Sequence, residues 1–68
     1  MEKYDLTGID GNAYAIMGYV ARCMREEHCT KKEIDEYFAD AQSGDYEDLV
    51  WTSFAMIEKL NEKAASGI

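Results

Sequence analysis

The side chains with the richest chemistry in this 68-residue chain are Cys23, His28 and Cys29, three metal-ligand types close together in sequence. A structural zinc site takes four such ligands. The spacing C-x4-H-C supplies three, no fourth follows, and two cysteines are too sparse for a disulfide framework. The pair reads as free thiols, Cys23 half-buried and Cys29 in a loop. His28 is the only histidine and stands directly after Glu26 and Glu27 at a helix-end turn, a place for an exposed or capping residue. Acid–base catalysis needs several convergent groups with tuned protonation, which one such histidine does not supply. The carboxylates from Asp40 onward begin like a calcium loop. Gln42 and Gly44 then occupy ligand places, Asp45 the required glycine place and Trp51 the final glutamate place. The spacings of a nucleophile elbow, a phosphate-binding glycine loop, a dinucleotide fingerprint and H-E-x-x-H are all missing. The expectation is a protein that is not an enzyme and carries no metal and no cofactor.

Charge narrows the partners. Fourteen acids against seven Lys plus Arg leave a net −7, and Glu33 to Asp48 holds seven carboxylates without one Lys or Arg. Such a run repels a phosphate backbone, and Arg22, Arg25, Lys31 and Lys32 make too thin a basic cluster to compensate. A helix-turn-helix pattern over Thr30 to Lys63 would begin its recognition helix Tyr46-Glu47-Asp48, with acids where bases and phosphates should lie. No nucleic-acid partner is expected. The acid run reads as a solvated helix face, or as an acidic surface that docks on a basic host protein. No apolar stretch is long enough to span a bilayer and no basic-then-apolar leader opens the chain, so no membrane partner and a cytoplasmic location are expected.

The elements that would position these groups are helical. Residues 1–9 alternate weakly through Tyr4, Leu6 and Ile9 and read as an extended arm or one short strand, lying over the helices or pairing with another copy. Asp10 is expected to cap a first helix over about 11–27, with Ile9 and Tyr14 as its hydrophobic staple. Its apolar stripe is Ala13, Ile16, Met17, Val20 and Met24, with Tyr14 and Tyr19 flanking. Gly18 lies off the stripe and suggests close approach of another backbone. Thr30-Lys31-Lys32-Glu33 is a capping box opening a second helix over about 31–42, which buries Ile34, Tyr37, Phe38 and Ala41. Gly44 is expected to close that helix in the left-handed conformation. Asp45 then caps a third helix over about 46–63. That helix offers Tyr46, Val50, Phe54, Ile57, Leu60 and Asn61 on one face, with Leu49 and Trp51 to either side; residues 64–68 read as a frayed tail.

Short links between amphipathic helices predict a mainly α fold: one domain over 1–68, a compact three-helix bundle with a short extended N-terminal arm or strand. A chain this short hides only about 60% of its unfolded surface and gains from a partner or a second copy. Tyr19 and Trp51, at the edges of their stripes, are the aromatics expected on a contact surface.

The segments D-L-T-G-I-D-G-N-A-Y-A-I-M-G (Asp5 to Gly18) and A-Q-S-G-D-Y-E-D-L (Ala41 to Leu49) resemble a family of short proteins from bacteriophages, prophages and gut bacteria. Its members read L-T-G-x-D-G-N-A-F-x-I-L-G and A-x-S-G-D-Y-D-x-L, so Tyr14 and Met17 are minor departures. The family has no established activity, and the resemblance implies a context rather than a mechanism. It marks Asp10-Gly11-Asn12 and Ser43-Gly44-Asp45-Tyr46 as shared features, either caps and turns or a binding site using Asn12 or Tyr46. The candidate interaction surface is therefore Tyr19, Trp51, Asn12, Tyr46, Asp40 and Asp48. The expected function is a small acidic protein–protein interaction module of phage or prophage type, with an unidentified protein partner and a possible homodimer. The alternatives are a small-molecule or nucleotide-binding protein and a structural or assembly accessory.

Overall fold

The computed structural model describes residues 3–66, which form a mainly α three-helix bundle: α1 (Ala13–Glu26), α2 (Lys31–Ala41) and α3 (Tyr46–Ser66). The long α3 is the spine and packs on both α1 and α2, which touch each other less. The result is a flat body of 36 × 27 × 15 Å. Its core is one cluster that includes Ile16, Val20 and Met24 of α1, Ile34, Tyr37 and Ala41 of α2, and Leu49, Ile57 and Leu60 of α3.

The helix starts follow from side-chain caps. The Thr30 hydroxyl accepts from the Glu33 N–H at 3.2 Å while the Glu33 carboxylate accepts from the Thr30 N–H at 2.9 Å, a complete capping box. That bonding holds the Glu33 carboxyl below the usual carboxylate range. At α3, Asp45 and Asp48 reciprocate: Asp45 accepts from the Asp48 N–H at 3.0 Å, and Asp48 accepts from the Asp45 N–H at 3.4 Å. At α1 the expectation of Asp10 is corrected. Asn12 is the N-cap and accepts from the Tyr14 N–H at 2.8 Å, while Asp10 closes the preceding turn by accepting from the Asn12 N–H at 3.0 Å. Two cap-type residues two positions apart each satisfy a donor, and the helical ladder begins after the second. Tyr14, now at the second helical position, is 79% exposed, so the staple with Ile9 does not form.

Both expected glycine roles change. Gly44 is not left-handed; among the described glycines only Gly8 has a positive φ, 85°. Gly44 is instead the residue whose missing Cβ leaves room for the Asp48 capping carboxylate, since a Cβ there would meet Asp48 Oδ2 at 2.1 Å. The left-handed closure belongs to His28, φ 63°, at the end of α1. The His28 N–H donates to the Arg25 carbonyl at 3.0 Å and the Cys29 N–H to the Met24 carbonyl at 2.9 Å, which satisfies the last turn of the helix. Gly18 is exposed and a Cβ there would meet nothing within 4 Å, so no backbone approaches it closely.

α3 turns a different face inward from the one its hydrophobicity suggests. Leu49, Ser53, Ile57 and Leu60 are buried, whereas Tyr46 and Phe54 are 52% and 51% exposed. One contact on that face is specific to the partner helix. Tyr37 is buried and its hydroxyl needs a partner, which Ser53 supplies at 2.6 Å. Ala64 packs against the core and α3 runs to Ser66, so residues 64–66 are helix rather than frayed tail; residues 67 and 68 lie outside the described residues. Cys23 is fully buried, not half-buried, and Cys29 is partly buried. No strand is present among the described residues; the arm lies over the helices, with Tyr4 buried and Leu6 and Ile9 packed on the core. Residues 1 and 2 of that expected arm lie outside the described residues.

Candidate functional site

The inward turn of α3 leaves an aromatic strip outside. Tyr46, Val50 and Phe54 follow one another at i, i+4 and i+8, so they lie on one side of the helix. Trp51, 64% exposed, stands beside Phe54 with ring centroids 6.5 Å apart and planes tilted by 45°. At the top of the strip Tyr46 meets the loop before α1, its hydroxyl donating to the Gly11 carbonyl. The strip thereby reaches α1: Tyr14 and Tyr46 line one concavity of about 310 Å3 together with Met17, Gln42, Asp45 and Leu49. All four exposed large apolar side chains among the described residues, Tyr14, Tyr46, Trp51 and Phe54, lie along this path, interleaved with the exposed acids Asp45, Glu47, Asp48 and Glu58.

The two motif segments meet here. Asp10-Gly11-Asn12 and Ser43-Gly44-Asp45-Tyr46 are joined by the bond from Tyr46 to Gly11. Asn12 Oδ1 and Asp48 Oδ2 are spent on caps, which leaves each exposed side chain one further polar atom, while Tyr46 keeps half its surface open. Tyr19 is placed elsewhere. It is partly buried and its hydroxyl accepts from the Asp5 N–H at 3.0 Å, which makes it an anchor for the arm. Burial pushes its hydroxyl up from the ordinary tyrosine value. Of the six candidate residues, the structure gathers Tyr46 and Trp51 on the strip and puts Asn12 and Asp48 at its capped upper end. Asp40 goes to a second surface.

That second surface is a groove of about 390 Å3 between α2 and α3. Met24, Tyr37 and Leu60 form its buried floor, Glu36 and Asp40 stand on the α2 rim, and Lys59 and Lys63 on the α3 rim. Cys29 also lines it, and burial pushes its thiol up from the ordinary value, which disfavours the reactive thiolate. Burial does the same to Cys23. Among the described residues no three His, Cys, Asp or Glu side chains converge into a metal-holding group.

Phe54 and Tyr14 are the surface residues that sequence reasoning assigned elsewhere, to a buried face and to a staple. The signal for Phe54 was a second stripe, Leu49-Ser53-Ile57-Leu60-Ala64, with the same helical spacing as the more hydrophobic one. No helix among the described residues is long and apolar enough to cross a membrane. Comparison with protein-family models, with curated proteins and with solved structures finds no match for the chain.

Proposed function

We propose that this chain is a small acidic, non-catalytic interaction protein whose α3 strip binds a basic protein partner in the cytoplasm. The observation that carries the reading is the strip itself. Three large aromatics of α3, Tyr46, Trp51 and Phe54, stand more than half exposed, with Tyr14 of α1 beside Tyr46, although α3 has a complete buried face without them. Aromatic side chains supply large contact area at low entropic cost and anchor interfaces when flanked by polar groups that close off water. The surrounding carboxylates, within a net charge of −7, select a basic surface and steer its approach. The phage or prophage context belongs to this reading and rests on the motif resemblance alone.

The test is capture of partners from a bacterial host lysate by wild type and by the Trp51→Ala/Phe54→Ala double variant, with retention followed against salt. The reading expects one dominant partner that the double variant loses and that high salt weakens. Retention unchanged by the double substitution, or no partner at all, overturns it.

The α2–α3 groove favours a second reading, a small-molecule binder. Its volume of about 390 Å3 and its apolar floor with charged rims are those of a small-ligand site. A compound that raises the melting temperature of wild type and not of a Met56→Trp variant, which fills the groove, distinguishes this reading from the first.

A further inference from the structure

The N-terminal arm is held by side chains of the helical body that contact both its backbone and its side chains. The Asn61 carboxamide reads the backbone of Tyr4 in both directions: its oxygen accepts from the Tyr4 N–H at 2.7 Å and its nitrogen donates to the Tyr4 carbonyl at 2.9 Å. The Tyr19 hydroxyl accepts the next backbone N–H, that of Asp5, at 3.0 Å. These bonds recognise an extended backbone whatever its side chains. Two further contacts recognise a sequence. The Tyr4 ring is 3% exposed and its hydroxyl donates to the Glu27 carboxylate, while Lys3 pairs with the same carboxylate at 3.3 Å. That is the only ion pair among the described residues. The receiving side chains, Tyr19, Glu27 and Asn61, all belong to the helical body, and the arm reaches them through a turn closed by the Ile9 N–H to Leu6 carbonyl bond around the left-handed Gly8.

We infer that the surface between α1 and α3 is a receptor for an extended peptide carrying a basic residue followed by tyrosine, with the chain's own arm as its resident competitor. Backbone reading by a carboxamide, a carboxylate at the end of a tyrosine slot and a flanking cation are the elements by which an extended peptide is seated and its sequence selected. A short tether keeps the arm at an effective concentration in the millimolar range, so a peptide from another protein must displace it and binds with an affinity reduced by the fraction of open surface. This site is distinct from the α3 aromatic strip and stands or falls independently of it.

The experiment titrates a blocked hexapeptide, E-K-Y-D-L-T, into isotopically labelled full-length protein, wild type and Lys3→Glu, followed by NMR. Lys3 is exposed, so Lys3→Glu leaves the packing between the three helices intact and sets a second carboxylate against Glu27, which loosens the arm and its Tyr4 while the peptide brings its own lysine. The expected result is a shift of the Asn61 side-chain amide and of Tyr19, with apparent affinity several-fold tighter for Lys3→Glu than for wild type. The same peptide with alanine for tyrosine should give no shift. Equal affinity in the two proteins, shifts confined to other surfaces, or no shift at millimolar peptide overturns the inference. A concentration-dependent dimer of Lys3→Glu without peptide overturns it too, because the occupant is then a second copy of the arm. Hydrogen exchange on wild type gives a check free of substitutions. The Tyr4 N–H should exchange by a local opening while the α3 core stays protected; exchange of both only by global unfolding makes the arm an integral part of the core and rejects the proposal.

Discussion

Ser53→Ala tests the feature from which the external strip follows, the inward face of α3. Ser53 is fully buried and is the only buried polar side chain among the described residues, and its Oγ lies 2.6 Å from the Tyr37 hydroxyl, itself buried. Alanine fills nearly the same space, so the packing change is small. The Tyr37 hydroxyl is left dry and unpaired, which costs about 1–3 kcal/mol. Against a total stability of roughly 3–10 kcal/mol for a chain of this length, that is a large share. A loss of about 2 kcal/mol lowers the melting temperature by roughly 8–16 °C in a domain of this size. Tyr37→Phe should cost less, about 0.5–1.5 kcal/mol, because the Ser53 hydroxyl can turn to the carbonyl one helical turn back. Removing both hydroxyls leaves nothing unpaired, so Tyr37→Phe/Ser53→Ala should be more stable than Ser53→Ala alone, with a coupling of about 1 kcal/mol or more. Urea unfolding followed by circular dichroism on the four proteins measures the cycle. Additive losses with no coupling would mean that Ser53 does not face Tyr37, and the strip containing Phe54 would then belong to the core.

Four further outcomes are expected. Thr30→Ala removes the hydroxyl that accepts from the Glu33 N–H and should cost about 1 kcal/mol; an unchanged urea midpoint would deny the cap a role. Gly44→Ala and Gly44→Asn should destabilise equally, because either Cβ displaces the Asp48 carboxylate and neither gains from a left-handed backbone. An advantage for Asn would restore the left-handed assignment. His28→Gly should stabilise by about 0.5–1 kcal/mol by relieving a β-carbon at φ 63°; a lower melting temperature would show that the imidazole contributes more than its backbone costs. Burial first, and then the bond to Glu27, pushes the Tyr4 hydroxyl up to about 12. The folded value lies above the unfolded one, so this contribution is complete below about pH 10 and disappears as pH rises through about 12. Urea unfolding at about pH 9 and about pH 11.5 checks the sign, and equal stability at the two would refute it.

The parts legible in the sequence were those governed by neighbours in the chain. The Thr30–Glu33 box, the Asp45 cap and the stripe Ile16, Met17, Val20, Met24 depend on spacings of three and four, and the structure has each of them. The parts that escaped depend on distant partners. Two stripes of α3 share Ile57 and Leu60, and hydrophobicity prefers the one with Phe54; the buried one adds Leu49, Ala64 and a Ser53 hydroxyl matched to Tyr37 of α2, a partner that no local pattern contains. Ala64 prolongs α3 because it continues the chosen stripe. Gly44 looked like a left-handed closure because glycine usually serves there, whereas its hydrogen makes room for a carboxylate four residues on. The arm was legible as extended, but its seat is built by Glu27 and Asn61, 23 and 57 positions from Tyr4. Tyr19 and Trp51 both lay at stripe edges, and only the arm's path separates an anchor from a surface residue.

Charge bears on which associations an exposed aromatic strip favours. Two copies meeting strip to strip would bring together Glu47, Asp48 and Glu58 from each, within proteins that each carry a net −7. On the proposed reading that repulsion would oppose self-association at low ionic strength, and against a basic partner it would become attraction. The two associations therefore respond to salt with opposite sign. Screening shortens from about 10 Å at 0.1 M to about 3 Å at 1 M; over that range self-association through the strip should strengthen and binding to a basic partner should weaken. Sedimentation of wild type across the series, beside Trp51→Ala/Phe54→Ala, reads the first effect directly. A dimer already formed at low salt and unaffected by the double substitution would place the self-contact on another face and remove the electrostatic reason for the strip's selectivity.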